Sequence, residues 1–300
     1  MKPLAILSSD WHLRVTTPQS RAEPDWFTVM RDRMEYMQAI SSDYNVPIIV
    51  AGDIFDRWNP PSELVSWCMD HMPSIWAIPG QHDLPQHRLE ARSMGAYGAL
   101  EKAGRIHNLP AGEWTHISKG LCVYAMPWGA YDPPKLDAKD HAKVRLGVMH
   151  KYAWVTKETG YVGAADSDNV ASLSWCNDHF DAVVIGDNHI PWKAGKFFNH
   201  GSLFSTTKAQ IDHEPREGLL MEDGSIQLLP CTEQKKWVQS VLDEVGETQK
   251  SQETEALMSE LASLSVDSIS FEDVIKRLEN ESNPGPREIF RELRDHIYRK

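Results

Sequence analysis

The sequence predicts an α/β fold that keeps its chemistry at the ends of strands. Short apolar runs recur between residues 4 and 230, and those of the first half alternate with segments of helical period. Run after run stops at an aspartate or a histidine, where an open α/β sheet places its functional groups. Three hundred residues, 41% hydrophobic and 25% charged, suit one large globular domain or one domain with a small appendage.

Residues 4–7 form the first buried run and deliver Asp10-Trp11-His12. Residues 14–21 are polar, contain Pro18 and read as a surface loop. Asp25 can N-cap a helix that runs to about Asp43. Phe27, Met30, Met34, Met37 and Ile40 fall on one face of it, a stripe that reads as core, with a dimer interface as the other use. Residues 47–51 are the second strand and feed Gly52-Asp53-Ile54-Phe55-Asp56. Pro60 and Pro61 open a helix that reaches about His71, since proline is tolerated in a first turn. Residues 75–78 are a short strand ending in Gly80-Gln81-His82-Asp83. A helix over about 93–103 stops at Gly104.

Residues 121–126 form a strand that ends at Pro127-Trp128, and residues 132–140 a polar, proline-containing loop. Residues 144–149 are a strand ending at His150, and residues 151–175 a long excursion with two short turns. Residues 181–185 are a strand ending in Gly186-Asp187-Asn188-His189. Three shorter strands follow at 196–198, 218–221 and 226–229, with Gly224 turning the last pair as a hairpin. Residues 233–254 read as a polar linker, and residues 255–300 as a small helical tail. In the tail Phe271, Val274, Ile275 and Leu278 make one apolar face, and Ile289, Phe290, Leu293 and Ile297 another.

A net charge of -12 argues against a broad nucleic-acid-coating surface but leaves room for a nuclease whose ions and local basic groups meet phosphates. Cys68, Cys122, Cys176 and Cys231 are far apart, which favours reduced buried thiols in a cytoplasmic protein. No apolar stretch has the length of a membrane span, and the N-terminus enters a strand without a signal-peptide pattern.

Asp and His at five strand ends exceed what capping requires. Mixed carboxylate and imidazole donors converging on one rim suit divalent Mn, Fe, Zn or Mg. Two such ions sharing a carboxylate can activate water for an in-line phosphoryl displacement. The blocks Asp10-Trp11-His12, Gly52-Asp53-Ile54-Phe55-Asp56, Gly80-Gln81-His82-Asp83, His150 and Gly186-Asp187-Asn188-His189 stand in the order of the calcineurin-like metallophosphoesterase signature. The resemblance covers roughly residues 4–230. It implies a two-sheet β-sandwich flanked by helices over residues 1–232, with the helical tail appended.

Within that family the chain looks most like the SbcD-type DNA repair nucleases, particularly their phage-encoded relatives. Residues 198–207 and 211–216 resemble that branch's N-P-G-S segment and the strand turn after it. The resemblance implies two divalent ions, Mn²⁺ ahead of Mg²⁺. Asp10, His12 and His189 would hold the first, Asp53 would bridge, and Gln81, His150 and Asp187 would complete the second. His82 would face the scissile phosphate, with Asp83 orienting its imidazole, while Asp56 holds its loop. Two positions depart from the pattern: Gln81 stands where the family has Asn, and Asp187 where it has His. Both fall on the second ion, which is then expected to be retuned towards harder cations.

DNA would be the substrate. An SbcC-type ABC ATPase would dock on the helical tail, and a homodimer is the expected assembly, with no membrane. Two other functions compete with DNA hydrolysis. One is a phosphoesterase of the same fold acting on a small nucleotide or phosphoprotein, and the other a non-catalytic binding protein whose second site has decayed. Trp11 and Trp128, each beside a strand end, either stack on a base or pack at the rim. His200 and His213 lie near the site or on the surface.

Overall fold

Twelve strands and three principal helices build the chain from residue 3 to residue 230. In this computed structural model they are β1 (Pro3–Ser8), α1 (Trp26–Tyr44), β2 (Ile48–Ala51), α2 (Ser62–His71), β3 (Ile75–Ile78), α3 (Ala96–Lys102), β4 (Ile106–Asn108), β5 (Trp114–Ser118), β6 (Leu121–Met126), β7 (Val144–His150), β8 (Ala182–Gly186), β9 (Trp192–Ala194), β10 (Phe197–Asn199), β11 (Arg216–Met221) and β12 (Ile226–Pro230). The structure describes residues 1–134, 142–161, 163–212, 214, 216–230, 235–242 and 245. Two compact units are distinguished, Met1–Val238 and Gln239–Lys300. The helical tail expected over 255–300, together with His213 and Cys231, lies outside the described residues.

The strands form two six-stranded mixed sheets, in the orders β12-β11-β1-β2-β3-β4 and β5-β6-β7-β8-β10-β9. β1 to β4 are parallel in the first, and β6, β7, β8 and β10 in the second. This is the two-sheet sandwich flanked by helices that the family resemblance implies. The single doubly wound sheet that the alternation of strand and helix invites is not formed, because the chain starts a second sheet after β4.

Strand alternation explains the layers. Ala5 and Leu7 of β1 and Ile49 and Ala51 of β2 point between the sheets, against Val123, Ala125, Leu146, Val148 and Val184. Their neighbours Ile6, Ile48 and Val50 point the other way, against the helices. Met30, Met34 and Met37 of α1 are fully buried there. The methionine stripe is therefore core and is not available as a dimer face. Asp25 caps α1 as expected, accepting from the Phe27 N–H at 3.0 Å. A third apolar layer, with Met126, Met149, Phe180 and Ile185, covers the outer face of the second sheet.

Several elements differ from expectation. The helix expected over 93–103 is a 3₁₀ turn, Leu89–Met94, followed by α3, with Gly95 between them. The excursion after β7 holds three short 3₁₀ segments, at Lys157–Thr159, Asp166–Asp168 and Val170–Leu173. β4 and β9 have three residues each, and they and β5 escape sequence reading because all lie at sheet edges with polar outward residues. The segment 14–21 is not wholly surface. Arg21 is buried, pairs with Glu23 and donates to Ser205 O at 2.5 Å, with the rings of Trp26 and Trp237 each 5.3 Å from its guanidinium carbon. Ala22 N–H donates to Lys236 O at 2.7 Å and Val238 N–H to Ser20 O at 3.0 Å. These bonds tie residues 236–238 to the segment 20–22 within the unit Met1–Val238.

Cys68, Cys122 and Cys176 are free and buried, and burial pushes the Cys68 and Cys176 thiols up to about 12. Among the described residues no helix is long and apolar enough to cross a membrane.

Candidate metal centre

Parallel strands in both sheets end on one rim, so the loops behind β1, β2, β3, β7 and β8 meet there. Asp10 and His12 come from the first, Asp53 from the second, Gln81, His82 and Asp83 from the third, His150 from the fourth, and Asp187 and His189 from the fifth. The loops behind β1 and β2 are laced together by backbone bonds. Asp10 N–H donates to Gly52 O (3.0 Å), His12 N–H to Asp53 O (3.0 Å) and Leu13 N–H to Ile54 O (2.9 Å). Asp10, His12, Asp53 and Asp187 all hold left-handed backbone, with φ of 51°, 44°, 52° and 89°. Such residues cost on the order of 1 kcal/mol or more each and persist where the surroundings over-determine them, most often at functional sites. Gly80 makes room for the cluster, since a Cβ there would stand 2.1 Å from Asp53 Oδ1.

Three overlapping groups of ligand atoms, each within 4.8 Å of one another, occupy the rim: Asp10, His12 and His189; His12, Asp53 and His82; Asp10, Asp53 and His150. His12 Nε2 and His189 Nε2 face each other at 3.0 Å. They lie 3.9 and 3.8 Å from Asp10 Oδ1. Asp53 Oδ2 lies 3.7 Å from His12 Nε2 and 3.4 Å from His150 Nε2. Asp53 Oδ1 accepts the His82 N–H at 2.9 Å, whereas Oδ2 is buried with no hydrogen-bond partner. A buried carboxylate oxygen that accepts no hydrogen bond costs free energy unless a cation meets it, and here the His150 imidazolium, 3.4 Å away, faces it. Together with the converging imidazoles, that oxygen shows that the donor set fits divalent ions.

The protonation states follow from the surroundings. Burial lowers His12 to about 3, with the neighbouring histidines adding to the effect, and burial also lowers His189. Both are held neutral, the form that binds cations. Burial would raise Asp53, but the charge of His150 beside it outweighs this and holds the carboxyl well below its ordinary range. Burial would lower His150, but Asp53, Asp10 and Asp187 raise it to about 10. His150 Nδ1–H donates to Ala51 O at 2.6 Å, so the extra proton sits on Nε2, towards Asp53 and Gln81. That proton occupies the corner a cation would fill. Asp10 is raised by burial and by its carboxylate neighbours, although His150 opposes them.

Gln81 and Asp187, the two departures from the family pattern, touch each other. Gln81 Nε2 donates to Asp187 Oδ1 at 2.6 Å, and Gln81 Oε1 lies 2.7 Å from His150 Nε2. Asp187 belongs to none of the three ligand groups.

His82 is exposed at the mouth, its ring 5.0 Å from that of His12. Its Nδ1–H donates to the backbone oxygen of Asp56 at 2.9 Å, which leaves Nε2 free. The expectation that Asp83 orients this imidazole is corrected. Asp83 is buried and accepts from the N–H groups of Gly80 (3.0 Å), Ile54 (3.2 Å) and Phe55 (3.0 Å). It ties the β3 loop to the β2 loop, and the Asp56 carbonyl does the orienting. Burial, with the charge of Asp53, raises the Asp83 carboxyl to about 7. The Asp56 side chain pairs with Arg14 and holds its loop.

Trp11 does not face a substrate. It is fully buried and donates Nε1–H to Ser8 Oγ at 2.9 Å. Trp128 is half-buried at the end of β6, its ring 6.5 Å from those of His150 and His87.

Below the site, Leu203 N–H donates to Asp10 O (3.0 Å) and Ser202 N–H to His189 O (3.4 Å). His200 is buried beside this loop, 3.1 Å from Glu217, which lies 3.1 Å from Arg33 of α1. Sequence reading missed this triad. The available signal is a glutamate inside an apolar strand, which once buried must find a cation.

Residues 5–191 match the family model described as calcineurin-like phosphoesterase. Among solved structures the chain resembles TT1561 of Thermus thermophilus, at 12% identity and a TM-score of 0.44, covering 77% of this chain and 99% of that one. It also resembles a metallophosphoesterase from Sphaerobacter thermophilus, at 14% identity and a TM-score of 0.35, covering 81% and 94%. No curated protein matches the chain.

Proposed function

The chain belongs to the calcineurin-like phosphoesterase family, and from that premise we propose that it is a metal-dependent phosphodiesterase hydrolysing DNA, of the SbcD type. The observation that carries the hydrolytic part is the buried Asp53 Oδ2, which accepts no hydrogen bond and stands among His12, His150 and Asp10, with His82 beside it. The residues resembling the SbcD branch over 198–216 support the choice of DNA. Bound there, two divalent ions would supply an activated water and neutralise charge on the phosphoryl group.

The chain's own residues do the rest. Asp10, His12 and His189 form the first cation corner, and Asp53 is shared with the second. His82 is held by the Asp56 carbonyl through Nδ1, so Nε2 can carry a proton to the departing sugar oxygen. A cavity of about 540 Å³ opens beside His189, lined by Ile190, Trp192, Phe198, Leu228 and Arg216 among others. Its walls are largely apolar, while Asp212 and Glu214 also line it and Glu214 pairs with Arg216 at 3.0 Å, so it suits the base and sugar of a nucleoside rather than its phosphate. Trp128 is the remaining aromatic at the rim for stacking on a base. The reading includes Mn²⁺ ahead of Mg²⁺, a cytoplasmic setting, a homodimer, and docking of an SbcC-type ABC ATPase on residues 255–300.

Incubation of the purified protein with linear DNA and Mn²⁺, beside cyclic nucleotides and phosphopeptides, tests the reading. DNA degradation abolished by chelation is the expected result. The net charge of -12 favours a second reading, a small nucleotide as substrate. Turnover of cyclic nucleotides with intact DNA would establish it. Absence of any metal-dependent turnover would leave a binding protein of the same fold.

A further inference from the structure

The contact between Gln81 and Asp187 assigns different work to two side chains that both sit where the second ion belongs. We propose that Asp187 is a positioning residue and not an ion ligand: it locks the Gln81 amide so that the Gln81 carbonyl serves the second ion. The proposal rests on the two-ion reading of the site and not on the identity of the substrate.

A side-chain amide has two chemically opposite ends, and nothing within glutamine decides which way they point. The Asp187 side chain offers two oxygens, which accept. Its Oδ1 stands 2.6 Å from the Gln81 amide nitrogen, so that nitrogen must be the NH₂ end. The carbonyl end is thereby turned to the other neighbour, His150 Nε2, at 2.7 Å. His150 Nε2 in turn lies 3.4 Å from Asp53 Oδ2, the oxygen that has no hydrogen-bond partner. Gln81 Oε1, His150 Nε2 and Asp53 Oδ2 thus make one corner, and Asp187 stands on the far side of the amide from it. In keeping with that placement, no ligand group containing Asp53 and His150 contains Asp187.

The backbone fixes Asp187 for this task. Its N–H donates to both carboxylate oxygens of Asp10, at 3.0 and 3.1 Å, and its φ is 89°. A short side chain on a pinned backbone is a rigid stop for a longer, mobile one. The extra methylene of Gln81 lets the amide span from Asp187 to His150. The two departures from the family pattern therefore act as one unit, a longer neutral ligand and a short anion that aims it.

Mn²⁺ titration by calorimetry, with ion counting by mass spectrometry, separates positioning from ligation. Wild-type protein takes two ions. Asp187→Asn keeps an oxygen that can accept from the Gln81 amide, so its second-ion affinity stays within about threefold of wild type. Asp187→Gly removes the side chain, suits the left-handed backbone, and weakens the second ion by roughly 10–100-fold with the first unchanged. Gln81→Leu weakens it similarly, and the double variant Gln81→Leu/Asp187→Gly is no worse than Gln81→Leu alone. Equal loss in Asp187→Asn and Asp187→Gly would show that the anion itself is the ligand and overturn the proposal. Full second-ion binding in Asp187→Gly would overturn it too. A wild-type protein that takes only one ion would overturn the two-ion reading, and this assignment with it.

Discussion

The two sides of Asp53 handle the same problem differently. On one side Asp10, His12 and His189 converge directly, and burial keeps both imidazoles neutral, His12 down to about 3. On the other side His150 is raised to about 10 by the surrounding carboxylates, and Gln81 arrives through a hydrogen bond to Asp187. The first corner is ready for a cation as it stands. The second holds a proton and an oriented amide in the cation's place. Burial alone does not set the shift of a histidine: carboxylates raise His150 against it, whereas at His12 burial and the neighbouring histidines outweigh the pull of Asp53.

The largest effect is expected where the two sides join. Asp53→Ala removes the shared carboxylate, and metal-dependent turnover of bis(p-nitrophenyl) phosphate should fall by at least about a thousandfold. Next comes His82, whose ring nitrogen also falls in a ligand group with His12 and Asp53. His82→Ala should lower kcat by roughly 10²–10³ while both ions still bind, measured by steady-state kinetics beside ion counting. An accompanying loss of an ion would place His82 in the ligand set instead.

The comparison is sharpened by chelation. As Mn²⁺ is withdrawn with a graded chelator, activity should fall in step with loss of the ion on the Gln81 side, while the ion on the His12 side remains. Simultaneous loss of both would mean that the two corners are equivalent.

Smaller effects are expected behind the site. Glu217 is buried; burial would raise its carboxyl, but His200 and Arg33 outweigh this and hold it below its ordinary value. Glu217→Ala leaves Arg33 buried without its carboxylate and should cost about 3–5 kcal/mol in urea unfolding at pH 7. Because the folded pKa is lowered, the carboxylate's stabilisation is present above the unfolded value of 4.5 and is lost as pH falls through the folded value. The gap between wild type and Glu217→Gln should therefore narrow below pH 4.5. Trp128→Ala, at the rim near His150, should raise KM for single-stranded DNA by about tenfold with kcat little changed, the worth of one stacked base. An unaltered KM would leave Trp128 as rim packing.

The strand ends and the chemistry placed on them are legible in the residues alone. Apolar runs of strand length stopping at Asp10, Asp53, His82, His150 and His189 are visible without coordinates, because a buried strand must be apolar and its last residue is free to be polar. The cap at Asp25 and the methionine stripe of α1 are equally local and equally legible. The pairing of the elements was not. Splitting the strands into two sheets depends on contacts between residues far apart in the chain, and so do edge strands such as β5.

Side-chain partners depended on tertiary structure in the same way. Asp83 is adjacent to His82 in sequence, yet its carboxylate is taken up by the N–H groups of Ile54 and Phe55, while the Asp56 carbonyl meets the imidazole. Trp11 beside Asp10 turned inward, and Arg21 in a polar stretch was buried between two indoles. Gln81 and Asp187, 106 residues apart, came within 2.6 Å. A residue's type limits which bonds it can make; only the folded chain decides which partner is near enough to make them.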